Sequence, residues 1–274
     1  MRMTKITDKI LRFLAWFCTG LALAVLLSII MYILINGIPH LRFSLFALRH
    51  TADNVSMFPA IVSTLLIIAI TMLFAVPLGI FTGIYLVEYT KKGSRLVSII
   101  RSSAELLAGI PSIVYGLFGL LFFVEFLGLG FSVLAGSLTL SIMVLPLVIR
   151  TTEEALKSVL DGYREGSFAL GAGKLRTVFR IVLPTAMPGI FAGVILAVGR
   201  VIGESAALIF TAGTIPQIPD NLMQSARTLS VHMWALSSEG YNINEAYATA
   251  VILLIFVFVI NAASAFAAKK LVRR

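Results

Sequence analysis

An all-α, polytopic membrane protein with six transmembrane helices and both termini on the cytoplasmic side is the fold class this sequence predicts. Three observations predict it. Hydrophobic residues make up 59% of the 274 residues and charged residues only 13%, about half the charged share of a soluble domain. Mean hydropathy is +0.99. The apolar residues gather into six long runs, with most basic residues in alternate connections between them. So much apolar surface needs lipid as its solvent, which excludes a soluble domain, a disordered tail and a disulfide scaffold.

The runs cover residues 13–35, 60–87, 106–128, 132–149, 186–213 and 247–268. A span needs roughly 20 residues, with a lower limit near 17. The fourth run is short, and a tight turn through Gly128 and Gly130 joins it to the third. The second is long enough to tilt. Pro77, Pro111 and Pro146 interrupt spans and predict kinks there. The first run is longer than a signal-peptide core and no small-x-small site follows it, so it reads as an uncleaved span.

Basic residues give the orientation. Of the 22 Lys and Arg, 18 fall on one side: the N-terminal tail, the 88–105 loop with Lys91, Lys92, Arg95 and Arg101, the 150–185 loop, and the C-terminal tail. Only Arg42, Arg49 and Arg227 fall on the other, and Arg200 lies within a span. The positive-inside rule then places both termini in the cytoplasm. It also accounts for the net charge of +9 without nucleic acid. The 36–59 and 214–246 connections read as ordinary external connections carrying short helices. Cys18, in an apolar run, reads as a packed thiol in the bilayer. His40, His50 and His232 show no metal-ligand spacing, so no metal site is expected.

The 150–185 loop is the longest cytoplasmic connection. Thr152 ahead of Glu153 and Glu154 reads as a helix start, with acids at the positive end of the dipole. Asp161 starts a second short helix through Leu170, and Gly171 is placed to stop it in a left-handed turn. Gly173 reopens the chain, and Lys174–Val182 reads as a third helix ending at Leu183-Pro184. Gly171-Ala172-Gly173-Lys174-Leu175 lacks the upstream Gly and the following Ser/Thr of a phosphate-binding P-loop. No ATP cofactor is therefore expected in this chain.

Two charges stand in the fifth run. Arg200 and Glu204 are four residues apart, which places them on one helix face. Arg200 is about 21 Å along a helix from Ala186. A central Arg costs about 2.5–3.5 kcal/mol on insertion scales, so a partner, water or ligand must offset it. An ion pair pinning two helices and a charge lining a transport path both fit. Arg suits an oxyanion, since its guanidinium hydrogen-bonds phosphate or carboxylate in two places. Glu204 would then screen that attraction or accept from a protonated phosphate oxygen. Glu125, near the outer end of the third run, reads as interfacial. Gly189/Gly193 and Gly199/Gly203 permit close helix approach, within one bundle or between subunits.

Glu165-Gly166-Ser167, three residues, Gly171, nine residues, then Ile181-Val182-Leu183-Pro184 resembles the EAA motif of ABC importer permeases. The departures are Gly166 and Ser167 where that pattern has Ala-Ala; both stay small. Further strings resemble the phosphate ABC importer permeases: Gly109-Ile110-Pro111-Ser112-Ile113-Val114-Tyr115-Gly116, Leu145-Pro146-Leu147-Val148-Ile149-Arg150-Thr151-Thr152-Glu153-Glu154, and Gly199-Arg200-Val201-Ile202-Gly203-Glu204-Ser205. The middle string is more like the PstA-type subunit than its PstC-type partner.

The resemblance implies a type I ABC importer permease fold in a bacterial inner membrane. It implies a tail, first span and external loop over 1–59, an importer domain over 60–268 with its coupling loop at 150–185, and a basic tail over 269–274. Arg200 and Glu204, with Arg150 third, become the substrate path. Glu165, Gly166, Ser167, Gly171, Ile181, Leu183 and Pro184 become the ATPase-coupling element. The implied partners are a PstC-type permease, a pair of ATPase subunits holding ATP and Mg, and an external phosphate-binding protein. The chain itself would be non-catalytic. A permease for sulfate, molybdate or an amino acid shares the EAA loop but needs no Arg-Glu pair in the fifth run. A secondary transporter lacks support from any inverted repeat. An intramembrane enzyme would need a nucleophile–base pair or metal ligands at membrane depth, and a scaffold would leave Arg200 unexplained.

Overall fold

The computed structural model describes residues 2–51, 54–90, 94–240 and 242–272. Lys91 and Lys92 of the 88–105 loop, and Arg273 and Arg274 of the tail, lie outside them. The described residues form helices and contain no strand.

Helix α1 runs Arg2–Gly37 and α2 Phe58–Ile84, the latter continuing as a wide, π-helical turn at Tyr85–Tyr89. Helix α3 (Arg95–Ala108) meets α4 (Ser112–Gly119, continued by a wide turn Leu120–Phe126) at a bend of 102°. Helix α5 is Val133–Lys157, α6 Asp161–Ala169 and α7 Lys174–Thr177. A wide turn at Val178–Val182 joins α7 to α8 (Leu183–Ile202). The chain closes with α9 (Ala206–Ile209), α10 (Leu229–Glu239) and α11 (Ile243–Val272). Five stretches are long and apolar enough to cross a membrane, and the bent α3–α4 pair brings the number to six.

Several boundaries differ from the sequence reading. The third run is not one helix over 106–128. Gly109 ends α3, and Pro111, which lacks an N–H, precedes α4 in extended conformation. Pro77 and Pro146 lie inside helices that run on through them. Thr152 starts no helix: α5 continues to Lys157, with its last turns held by Arg150–Glu154 and Glu153–Lys157 pairs one turn apart. Pro184 stops nothing either. It sits in the first turn of α8, where its missing N–H costs little. At the other end α8 stops at Ile202, so the fifth run is not helical through 213. Helix α11 extends past 268 into the basic tail.

Helix α5 is the centre, with 67% of its most apolar window buried, against none for α1. Its neighbours approach closely because they present glycine. A Cβ on Gly79 would lie 2.6 Å from Val148 Cγ1, and one on Gly83 2.6 Å from Thr152 Cγ2. The two contacts advance together, so α2 runs parallel to α5. Gly189 meets Ala155 and Gly193 meets Thr151, so α8 runs antiparallel. These glycines serve packing within one bundle. On the side of these contacts toward the start of α5, Ile67, Ala75, Leu140, Val144, Val148, Val198 and Ile202 form the main apolar core. The α2–α5 seam also carries hydroxyls: Ser141 Oγ donates to Thr71 O at 3.2 Å, and Thr71 Oγ1 to Ser137 O at 3.3 Å. Cys18 is exposed on α1 rather than packed, and Glu125 is exposed at the end of the α4 turn.

The 214–246 connection is no ordinary solvated loop. It returns into the bundle end, where Ser132 N donates to Thr211 O and Val133 N to Gln224 O. Thr228 Oγ1 caps α10 by accepting from Val231 N. Arg227 is 8% exposed and His232 fully buried. Arg227 Nε donates to Thr214 O at 2.6 Å, and the His50 ring meets His232 edge-on at 5.6 Å. Burial first, then the Arg227 guanidinium and His50, push the His232 imidazole from 6.5 down to about 3.

Two predictions follow from this packing. Gly79→Val and Gly83→Val should each push α2 off α5 and destabilise by about 1–3 kcal/mol. Gly20→Val on α1, where a Cβ meets nothing within 4 Å, should leave the thermal midpoint in detergent within error of wild type. The depressed pKa of His232 means the unfolded chain takes up a proton first as pH falls. Its contribution to stability is whole above about 6.5 and declines from there toward 3. The thermal midpoint should therefore drop between about pH 7 and pH 5, and drop less in His232→Gln.

Candidate functional site

A cavity of about 320 Å³ opens between α3, α5 and α8. Arg101 and Glu105 reach it from α3, Arg150, Glu153, Glu154 and Lys157 from α5, and Arg200 from α8. Met143, Pro146 and Leu147 supply apolar wall. The antiparallel register, with Gly189 at Ala155 and Gly193 at Thr151, sets Arg200 level with Val144. From there to Arg150 is about 9 Å along α5, and to Lys157 about 20 Å. The cavity is thus a groove along α5 with a guanidinium at its inner end and mixed charge at its mouth.

At the mouth the charges are largely paired. Glu153 takes both Arg101 and Lys157 (2.6 Å to the latter), and Arg150 Nε donates to Glu154 Oε1 at 3.0 Å. The carboxylate of Glu153 is mostly buried and the three cations are 42–69% exposed. Arg200 differs. It is exposed, and among the described residues no carboxylate lies within ion-pair distance of it. It sits in the last turn of α8, where the carbonyl end of the helix partly offsets its charge.

Glu204 does not share a face with Arg200. The helix ends two residues earlier, and Gly203 and Ser205 leave regular helical geometry. Glu204 Oε1 instead accepts from Ala207 N at 3.1 Å, capping the short α9, while its backbone O accepts from Ser230 Oγ at 2.6 Å. The i,i+4 reading assumed a helix that the chain does not continue. Of the three path residues read from sequence, Arg200 and Arg150 line one cavity and Glu204 stands outside its lining.

The EAA-like segment forms a compact helical hairpin beyond α5. Gly171 adopts φ +80° and closes α6, with Gly171 N donating to Phe168 O and Ala172 N to Ser167 O. Gly166 is exposed and meets nothing within 4 Å of a Cβ; Ser167 faces inward, its hydroxyl 2.8 Å from Thr177 Oγ1 with both residues buried. Glu165 is exposed beside the large apolar side chains of Phe168 and Leu170, the latter 90% exposed. Ile181 and Leu183 are half-buried where the wide turn enters α8, and Pro184 is exposed. Gly173 opens α7 in extended conformation, with no preceding strand. That geometry is unlike a P-loop, which follows a strand.

Sequence reasoning missed Arg101, Glu105, Glu153 and Lys157 as cavity groups, and Arg164 with Glu88 beneath α6. The Glu153–Lys157 spacing was a readable signal once α5 is taken past Arg150. Arg101 with Glu153, and Arg164 with Glu88 across 76 residues, had no local signal.

Comparison with known proteins fits this architecture. Residues 75–274 match the family described as binding-protein-dependent transport system inner membrane component. The chain is 37% identical to the probable ABC transporter permease protein YqgI of Bacillus subtilis, covering 95% of this chain and 94% of that one. It is 36% identical to phosphate transport system permease protein PstA 1 of Mycobacterium tuberculosis, over 76% and 69% of the two chains. Identity is 33% to PstA 2 of Mycobacterium bovis, over 92% and 87%. Among solved structures, a chain of a bacterial alginate ABC transporter, crystallised with its alginate pentasaccharide-bound periplasmic protein, superposes with a TM-score of 0.68 at 16% identity. The match covers 94% of this chain and 95% of that one. A chain of the MetNI methionine ABC transporter gives 0.61 at 19%, over 78% and 94%. With its all-helical bundle, its bent third crossing and its helical hairpin after α5, the chain belongs to the binding-protein-dependent transport system inner membrane component family, with the fold of the type I ABC importer permeases.

Proposed function

We propose that this chain is the PstA-type permease subunit of an ATP-driven importer of inorganic phosphate, forming half of the translocation path. The observation that carries the substrate is Arg200: a guanidinium with no carboxylate at ion-pair distance among the described residues, presented to a groove between α3, α5 and α8. The names of the 33% and 36% identical PstA relatives support the same substrate class. A charge-assisted, two-point contact to phosphate strengthens where water is scarce. Arg150 is the second station, about 9 Å further along α5. Glu204 orders the chain after Arg200 through its cap on α9, beside the groove rather than in its lining.

The hairpin of α6 and α7 is the ATPase-coupling element. Glu165, Gly166 and the apolar side chains beside them form the docking face. Ser167 and Gly171 hold its shape, and Ile181, Leu183 and Pro184 carry displacement into α8. ATP and Mg are held by the partner ATPase pair, and chemistry stays there. A PstC-type permease supplies the other half of the path, and an external phosphate-binding protein delivers substrate. The 18 basic residues on one side support an orientation with both termini in the cytoplasm of a bacterial inner membrane.

Reconstitution with these partners tests the proposal through binding-protein-dependent phosphate uptake with ATP. Arg200→Ala should lower uptake about 10- to 100-fold, the loss expected from one charge-assisted partner, while the ATPase remains bound. Gly171→Asp, forced to φ +80°, should release the ATPase and abolish uptake. ATP-driven uptake of sulfate or molybdate but not phosphate would overturn the substrate and leave the family membership standing. Normal phosphate uptake by Arg200→Ala would remove Arg200 from the path.

A further inference from the structure

The contact between α6 and α2 runs through one side chain. Arg164 is only 15% exposed, and it donates five hydrogen bonds. Nε and Nη2 reach Glu88 Oε1 at 3.1 and 2.7 Å. Nη2 also reaches Leu156 O at 2.9 Å, and Nη1 reaches Val159 O at 2.8 Å and Asp161 Oδ1 at 3.2 Å. Glu88 is 8% exposed and sits in the wide turn that ends α2. The guanidinium thus ties together the end of α2, the end of α5, the connector and α6. Chain continuity already links α6 to α5 and, through α7, to α8. It does not link α6 to α2. Apolar packing at Ile84 and Val87 joins the end of α2 to α5, the connector and the Val178–Val182 turn rather than to α6, and packing without direction permits sliding. The forked ion pair fixes both distance and orientation.

We propose that Arg164 is a positioning residue of coupling, and that its ion pair with Glu88 carries displacement of α6 directly into α2. This rests on the docking role proposed above for α6. The arrangement moves α2 and α8, seated on neighbouring faces of α5, from one hairpin. Arg164–Glu88 serves one flank and the Ser167–Thr177 hydroxyl contact serves the other. Lys in place of Arg164 would keep the charge but lose the planar fork that spans Glu88 and two carbonyls. Glu88→Ala removes the α2 anchor and leaves the carbonyl bonds that shape α6.

The test uses the complete reconstituted complex and reads phosphate imported per ATP hydrolysed, together with a disulfide crosslink from Leu170→Cys to the ATPase subunit. Glu88→Ala and Arg164→Ala should each lower the ratio about tenfold, and the double variant should fall no further than either single one, as for two groups acting as a unit. Arg164→Lys should recover only part of the loss. The crosslink should persist in Glu88→Ala. An unchanged ratio in Glu88→Ala, or losses that multiply in the double variant, overturns the inference while the docking reading stands. Loss of the crosslink in Glu88→Ala makes the pair a structural support only and also overturns it. Absence of the crosslink in otherwise wild-type complexes overturns the docking reading and the inference together.

Discussion

Two helices in hydrocarbon gain nothing from excluding water, so they hold together by packing at contact distance and by the few hydrogen bonds between them. That constraint governs the α2–α5–α8 core. Gly79 and Gly83 let α2 lie against Val148 and Thr152, and Gly189 and Gly193 let α8 lie against Ala155 and Thr151. The Thr71–Ser137–Ser141 hydroxyl contacts fix the α2–α5 register. With α2 and α8 seated on neighbouring faces, 67% of the most apolar stretch of α5 is buried, and the remaining helices take positions relative to it. The groove, its charges and the hairpin all hang from this one helix.

The same helix explains why charge can be concentrated at one end without cost to the core. Beyond Val148, α5 keeps one face packed through Thr151, Thr152 and Ala155 while the face toward the groove carries Arg150, Glu153, Glu154 and Lys157, which neutralise one another at one-turn spacing and accept Arg101 from α3. Exposed pairs of this kind contribute little to stability. Their effect is to shape a mouth that is polar, close to neutral and wide enough for water. Arg200 lies deeper and has no such partner among the described residues. A buried carboxylate beside it would have met the cost of the charge, and its absence leaves the offset to the helix end and to whatever enters the groove.

Composition and hydropathy were enough to read the class and the six crossings, and spacing was enough for the α6–Gly171 hairpin, because both depend on local pattern. The left-handed Gly171 is the clearest case: a short polar helix followed by Gly-Ala-Gly leaves few alternatives. What misled was the habit of ending a helix where polarity begins. Thr152 and Pro184 are start and stop signals in isolation, yet pairs one turn apart carry α5 on, and a first-turn proline is accepted by α8. The reverse error occurred at Ile202, where an apolar run continues but the helix does not. There Glu204 and Ser230 satisfy the freed backbone, a long-range arrangement with no signature in the string. Arg101 and the Arg164–Glu88 pair were hidden for the same reason.

The hydroxyl contact between Ser167 and Thr177, together with the left-handed turn at Gly171, has a mechanical consequence. It closes the strip from α6 to α7 into a stiff loop with very little internal play. In the docking role proposed for α6, a push on its exposed face would reach the foot of α8 through this contact. In engineering terms the joint has low compliance and no backlash, so a displacement of an ångström or two at one end of the hairpin arrives at the other at nearly full size.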